Sequence, residues 1–206
     1  MGCYGVEGEK ELNDQTLSKD WIGTEKFLNG NRRSLDAESN DYYATDPKAI
    51  ELLLEQEDFS NAIWEPACGE GHLSKALKAK GYNVYSTDLF ERGFGIGGRD
   101  FLHETGVFEG DIITNPPYKH AKQFVEKALQ IVPHGNKVAM FLKLTFLEGI
   151  SRRELFKNHP PQTVYVSSDR IRCGKNGTFD GPRSAVAYAW FVWRRGYPRP
   201  DLSQVV

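Results

Sequence analysis

Cysteine is scarce in this chain. There are three in 206 residues, Cys3, Cys68 and Cys173, far apart and without a CxxC pair. That excludes a disulfide framework and offers no zinc-site spacing. A reducing compartment is therefore expected, with no metal. No apolar run approaches the roughly 20 residues needed to span a bilayer, so no membrane partner is expected. The opening stretch MGCYGVEGEKELND lacks the apolar core of a signal peptide, and Val6 stands where a myristoylation pattern needs Ser or Thr. The expected location is cytoplasmic. Internal repeats are missing as well. With 39% hydrophobic and 26% charged residues, the composition is that of an ordinary soluble globular protein with one large domain, or one domain and an arm.

The formal net charge of −2 conceals an asymmetry. Residues 115–206 hold 15 Lys and Arg against 6 Asp and Glu, whereas residues 1–114 hold 11 against 22. A basic C-terminal half suits a polyanionic partner met on one side. Two solvated surfaces of opposite sign would give the same count.

Residues 1–40 are polar, with few apolar positions, and read as an N-terminal arm, in part disordered. Residues 41–206 read as a single domain. DPKAIELLLEQ (46–56) has Ile50, Leu53 and Leu54 at helical spacing, with Asp46 as N-cap and Pro47 in the first turn. IWEPA (63–67) is a short strand, GHLSKALKAKG (71–81) a helix closed by Gly81, and YNVYSTDLF (82–90) a strand. ERGFGIGGRD (91–100) is too glycine-rich for regular structure. DIITN (111–115) is a strand, HAKQFVEKALQIV (120–132) a helix, and KVAMFLK (137–143) a strand buried on both faces. A helix over 148–159, a strand over 163–168, a polar loop over 172–184 and a last long strand over 185–193 complete the pattern. Strands alternating with helices predict an α/β layered fold with a mostly parallel sheet.

Two stretches carry chemistry. EPACGEG (65–71) joins the first of these strands to its helix, and Gly69 and Gly71 allow a sharp turn and close approach of a ligand. Ser74 stands where a GxGxxG run would need its third glycine, and there is no GKS or GKT, so a nucleoside suits the loop better than a pyrophosphate. Asp88 follows Gly71 by 17 positions at the end of the next strand, placed to accept hydrogen bonds from ribose hydroxyls. A plain strand-to-helix turn is the alternative. The second stretch is DIITNPPY (111–118). Two consecutive prolines cannot continue a sheet ladder, so Asn115-Pro116-Pro117-Tyr118 projects off the end of its strand.

In this order, EPACGEG, STDLF, RDF and NPPY resemble the motifs of S-adenosylmethionine-dependent amino-methyltransferases, the family that includes adenine-N6 DNA methyltransferases. The resemblance covers roughly residues 42–195. The segment DYYATDPKAIELLL is similar to the corresponding part of small phage and prophage members. The resemblance implies a Rossmann-like fold: helices on both faces of a mostly parallel sheet, with an antiparallel C-terminal strand. It also implies S-adenosylmethionine as cofactor. Tyr43, Thr45 and Pro47 would lie against its methionine end, with Asp46 intervening where many relatives read Thr-Pro directly. Glu65, Pro66, Ala67, Gly69 and Gly71 would cradle the methionine portion, Asp88 and Leu89 the ribose, and Asp100 and Phe101 the adenine. Asn115, Pro116, Pro117 and Tyr118 would be catalytic.

The chemistry accounts for the tetrapeptide. An exocyclic amino nitrogen is a weak nucleophile because its lone pair is delocalised. Two acceptors aimed at its N–H bonds, the Asn115 side-chain oxygen and the Pro116 carbonyl, can stabilise charge as the nitrogen attacks a methyl group. Tyr118 offers a face for a flipped base. The motif gives the reaction type and not the substrate, since RNA and protein-glutamine methyltransferases of the superfamily carry it too. Adenine N6 in DNA is the expected target, with RNA or protein glutamine as alternatives and a cofactor-binding regulatory module as the non-enzymatic one. Only 14 positions separate Phe101 from Asn115, so either the recognition element follows Tyr118 or the specificity is low. Basic loop 167–184, with Arg170, Arg172, Lys175 and Arg183 around Phe179, would grip phosphates or wedge beside a base, and Lys119 and Lys122 would join it. A solvated hairpin and a solvated helix start are the plainer readings. Cys68, His72 and His120 read as structural. The expected assembly is a monomer or weak homodimer.

Overall fold

The computed structural model describes residues 43–169, 171, 173–175 and 186–197, the backbone alone at 43 and 173–175. The N-terminal arm and most of the basic loop therefore lie outside the described residues. Chain order gives β1 (Tyr43–Thr45), α1 (Lys48–Leu54), β2 (Ala62–Glu65), α2 (His72–Ala79), β3 (Asn83–Ser86), β4 (Asp111–Thr114), α3 (Ala121–Ile131), β5 (Lys137–Lys143), α4 (Arg153–Asn158), β6 (Thr163–Val166), β7 (Cys173–Lys175) and β8 (Tyr188–Arg194). Short 3-10 turns stand at Phe101–His103, Tyr118–His120, Leu144–Leu147 and Ile150–Arg152.

Six strands form the main sheet in the order β3-β2-β4-β5-β8-β6. β3, β2, β4 and β5 run parallel, and β8 runs antiparallel between β5 and β6. Side chains on a strand alternate between faces, so each buried run serves two layers. Ile63, Val84, Ile113, Ala139, Phe141, Trp190 and Val192 face α1 and α2 through Ile50, Leu53, Leu73 and Leu77. On the other face Trp64 meets Phe101 edge-on at 5.2 Å, and Phe101 meets Phe124 of α3 at 4.9 Å. The expected doubly covered, mostly parallel sheet with an antiparallel C-terminal strand is the one observed.

Asp111 fixes the start of the inner strands. It is almost fully buried. Its Oδ2 accepts from Ser60 N at 2.6 Å, and its Oδ1 from Lys137 N at 2.7 Å and Asn136 Nδ2 at 2.9 Å. One carboxylate thus ties the approaches to β2 and β5 to the first residue of β4.

Four local expectations need correction. Residues 43–45 form a strand, which the sequence reading lacked. Its partner β7 lies inside the expected polar loop 172–184, pairing antiparallel through Tyr43↔Lys175, Ala44↔Gly174 and Thr45↔Cys173. Three glycine or polar positions give no alternation to read, and the strand exists because β1 pairs with it. The helix expected over 46–56 begins at Lys48. Pro47 is its N-cap, while Asp46 Oδ1 accepts from Lys48 N at 3.0 Å. The helix expected over 148–159 is α-helical only from Arg153, since Gly149 at φ 105° opens a 3-10 turn first.

Replacing Asp111 with Ala would leave three donors without their acceptor. We expect it to lower the free energy of unfolding by about 2–4 kcal/mol, read as a lower denaturant midpoint at unchanged slope. A change under about 0.5 kcal/mol would mean that the donors re-pair at no cost.

Candidate active site

The chain leaves β2 for β3 on one side and returns to β4 on the other. A crevice opens between the carboxyl ends of two strands where the winding reverses this way. Both stretches singled out in the sequence emerge there, the glycine loop from β2 and the Asn-Pro-Pro-Tyr segment from β4. One cavity takes lining from both, and from Thr45, Asp88 and Asp100.

The glycine loop is held from below. Gly69 (φ 55°) and Gly71 (φ 81°) take left-handed backbone, which favours glycine. A Cβ on Gly71 would also run into the Phe94 ring, which packs over it. Cys68 N donates to Thr87 O at 2.9 Å, and Gly69 N donates to Asp88 Oδ2 at 2.8 Å. The other Asp88 oxygen accepts from Phe90 N at 2.9 Å. Each oxygen keeps a second acceptor position. Beyond Asp88 the chain doubles back so that Thr87 and Ile96 make a single parallel bridge beside β3. Arg99 then pairs through two bonds with Glu104, both at 2.7 Å, and so fixes the turn that carries Phe101.

Glu65, the last residue of β2, is buried beneath the loop and hydrogen-bonded by the Ser74 hydroxyl. Ser74 Oγ lies 2.6 Å from Ser86 Oγ. Burial pushes the Glu65 carboxyl up to about 8, against the bonds from Ser74 and with a smaller push from Asp88. Burial, and then the charges of Glu65 and Asp88, push the Cys68 thiol up to about 12, which suits a packing residue and not a nucleophile.

At the other wall, Asn115 Nδ2 donates to Thr45 Oγ1 at 2.8 Å. The Pro117 carbonyl accepts from His120 N at 2.9 Å, at the start of the turn that precedes α3. The Tyr118 ring has Lys143 Nζ at 4.6 Å from its centroid and Tyr188 at 5.9 Å. Lys143 closes β5 and Tyr188 opens β8, and they are register partners.

The structure thus brings Thr45, Glu65, Pro66, Ala67, Asp88, Leu89, Asp100, Phe101, Asn115, Pro116, Pro117, Tyr118 and Lys119 to one cavity. Phe101 is buried between Trp64 and Phe124, so it meets the cavity from within an aromatic cluster. Asp100 also bonds Leu102 N and His103. Gly69 and Gly71 shape the loop without lining the cavity, as Pro47 does for the turn into α1. Lys122 is the second residue of α3 and lies 3.8 Å from Glu126. The side chains of Tyr43 and Lys175, and all of Arg170, Arg172, Phe179 and Arg183, lie outside the described residues. Sequence reasoning quoted Arg99 within RDF without giving it a role, and passed over Glu104, Lys143 and Tyr188. The Arg-to-Glu spacing around Asp100-Phe101 is a readable cue for the first pair, whereas the second pair meets only through strand register.

Among the described residues, no group of three or more His, Cys, Asp or Glu side chains is placed to hold a metal ion, and no helix is long and apolar enough to cross a membrane. No family model and no curated protein matches the chain. Solved structures do match its fold. A candidate class I S-adenosylmethionine-dependent methyltransferase of Listeria monocytogenes superposes with a TM-score of 0.55 at 13% identity, over 75% of this chain and 61% of that one. An S-adenosylmethionine-dependent O-methyltransferase of Thermotoga maritima gives 0.51 at 14% identity, over 75% and 66%. A candidate hemolysin of Streptococcus thermophilus gives 0.53 at 11% identity, over 77% and 69%. The chain thus spans about three fifths of the Listeria protein and shares the Rossmann-like fold of class I methyltransferases.

The Glu65 proton gives a pH dependence with a definite sign. The folded chain holds it from the ordinary value of 4.5 up to about 8, and the unfolded chain does not. Its contribution to stability is therefore complete below 4.5 and is lost as pH rises to about 8. Glu65→Gln should flatten the stability profile between pH 5 and pH 8, measured by denaturant melts across about that range. An unchanged slope would mean that the carboxyl ionises freely in the fold.

Proposed function

We propose that this protein is an S-adenosylmethionine-dependent N-methyltransferase that methylates adenine N6 in DNA. The observation that carries the reading is the meeting of the glycine loop and the Asn115-Pro116-Pro117-Tyr118 segment in one cavity at the sheet's reversal point. The residues fit the cofactor. Asp88 and Asp100 bring carboxylates to the cavity, with Arg92 and Arg99 lining it beside them, and the buried Glu65 beneath the loop is held mostly protonated. The lone pairs left on Asp88 suit ribose hydroxyls. Leu89, Phe101 and Leu102 give the adenine apolar walls.

Bound there, S-adenosylmethionine supplies an electrophilic methyl group. The protein's part is to hold the acceptor. Asn115 Oδ1 and the Pro116 carbonyl would accept the two N–H bonds of the amino group and stabilise the positive charge that develops as its lone pair is used. The prolines hold the carbonyl rigid, so little reorganisation accompanies the reaction. The base would stack on Tyr118, whose ring is held by Tyr188 and Lys143. The proton leaves to solvent after transfer, so no strong base is needed.

The charge asymmetry favours a polyanionic substrate over a protein one. Lys119, Lys122, Lys143 and the basic loop with Arg170, Arg172, Lys175, Phe179 and Arg183 would contact the backbone beside the target. The setting we infer is the cytoplasm of a bacterium or phage-infected cell, with the enzyme a monomer or weak homodimer.

Labelled methyl transfer to duplex DNA, single-stranded DNA, ribosomal RNA and protein extract tests the reading. Label should appear in DNA as N6-methyladenine and fall by roughly a hundredfold or more in Asn115→Ala. DNA affinity should also drop steeply with added salt. Label in RNA or protein alone would move the assignment to that substrate. Cofactor binding with transfer to none would favour a regulatory module.

A further inference from the structure

We propose that Phe94 is a latch between two loops of the cavity. Its ring clamps the outer side of the glycine loop and so positions that loop for the amino-acid end of the cofactor. This rests on the S-adenosylmethionine reading and concerns a residue that does not itself line the cavity.

A glycine loop needs bracing, because glycine gives the backbone more freedom than any other residue. On its inner side this loop is tied by Cys68 N to Thr87 O and by Gly69 N to Asp88 Oδ2. Those bonds hold positions 68 and 69. Gly71, two positions on, bonds through its backbone to Cys68 O and Lys75 N, within the loop and its own helix. Phe94 meets it there. The ring stands against Gly71 where a side chain would otherwise be, so that a Cβ at 71 would overlap three ring carbons.

The ring is itself held. Two side chains of α2 reach over it, with Lys75 Nζ 5.1 Å and Lys78 Nζ 5.6 Å from its centroid. Lys75 Nζ also donates to Glu70 O at 3.0 Å, so one side chain grips ring and loop together. The backbone that carries the ring is anchored at the end of β3: Ile96 N donates to Ser86 O and Asp88 N to Ile96 O, both at 3.0 Å. Gly95 (φ 71°) passes so close to Ser86 O and Cys68 Sγ that no Cβ would fit. The Cys68 thiol in turn donates to Phe94 O at 3.5 Å. Phe94 thus joins the loop after β2 to the connection after β3, which carries Leu89, Asp100 and Phe101. In the proposed binding mode these two loops hold opposite ends of the cofactor, so a contact between them sets the span across which it is held.

Two variants and two ligands test this. Phe94→Ala removes the ring, and Phe94→Tyr keeps it. Phe94 is only half-buried, so both variants should fold. S-adenosylhomocysteine should bind Phe94→Ala roughly tenfold more weakly than the parent, because binding must then order the loop. Methylthioadenosine, which lacks the amino-acid end, should bind parent and variant within about twofold of each other. Phe94→Tyr should bind both ligands as the parent does. Equal weakening of both ligands in Phe94→Ala would make the ring merely structural, and an unchanged affinity for S-adenosylhomocysteine would mean that it has no hold on the loop; either overturns the proposal.

Amide hydrogen exchange, followed by nuclear magnetic resonance, stands apart from any ligand. In Phe94→Ala the Gly69 and Gly71 amides should exchange about tenfold faster than in the parent, while that of Ile96 stays within about threefold. A parent that binds neither ligand would overturn the cofactor reading, and the exchange pattern would still decide the latch. Unchanged protection at Gly69 and Gly71, or an equal loss at Ile96, overturns it.

Discussion

The cavity depends on one carboxylate. Asp88 receives the backbone N–H of Gly69 on one oxygen and that of Phe90 on the other, and its own backbone bonds Ile96 O and Arg99 N. Two loops, the glycine loop after β2 and the connection 89–100 after β3, are fixed relative to one another through this residue. The N–H groups of Gly69, Phe90 and Arg99 find their acceptor there, and the Ile96 carbonyl its donor, groups whose burial would otherwise be costly. Without that junction the glycine loop would keep only the Cys68 N bond to Thr87 O as its tie to the neighbouring strand's end.

The opposite wall is built on different principles. There the backbone is stiffened by two prolines, and the side chains are oriented by partners drawn from distant strands: Thr45 from β1, Lys143 from β5 and Tyr188 from β8. Wall one is a set of backbone donors gathered on a carboxylate. Wall two is a set of side chains set on rigid elements, the arrangement that reacting groups need when small displacements are expensive.

The layered architecture was legible because strands such as KVAMFLK and DIIT are short apolar runs bounded by turn residues, and α2 and α3 show clean helical spacing. The two halves of the cavity were legible because each is a contiguous motif. What sequence reading missed is contact that only register supplies. β7 contains glycine and charge and has no strand pattern, so its pairing with β1 was invisible. The Lys143–Tyr188 pair at Tyr118 follows from the antiparallel alignment of β5 and β8, which no local pattern encodes. Thr45 was singled out, yet its partner Asn115 lies 70 positions away. Phe101 was expected against the adenine, and only the aromatic cluster of Trp64 and Phe124 reveals how deeply it is set.

The strand order has a consequence for how the chain is made. β8, near the end of the described chain, inserts between β5 and β6, and β1 waits for β7 across about 130 positions. A ribosome that has released everything through Tyr118 has delivered both motifs, yet neither the strand that steadies Tyr118 nor the ribbon that carries Thr45 has closed. Such distant pairings pay the entropy of loop closure before they gain any contact, and they form late and slowly. The half of the cavity built on the glycine loop is thus delivered first, and the opposite wall is complete only when the last strands arrive.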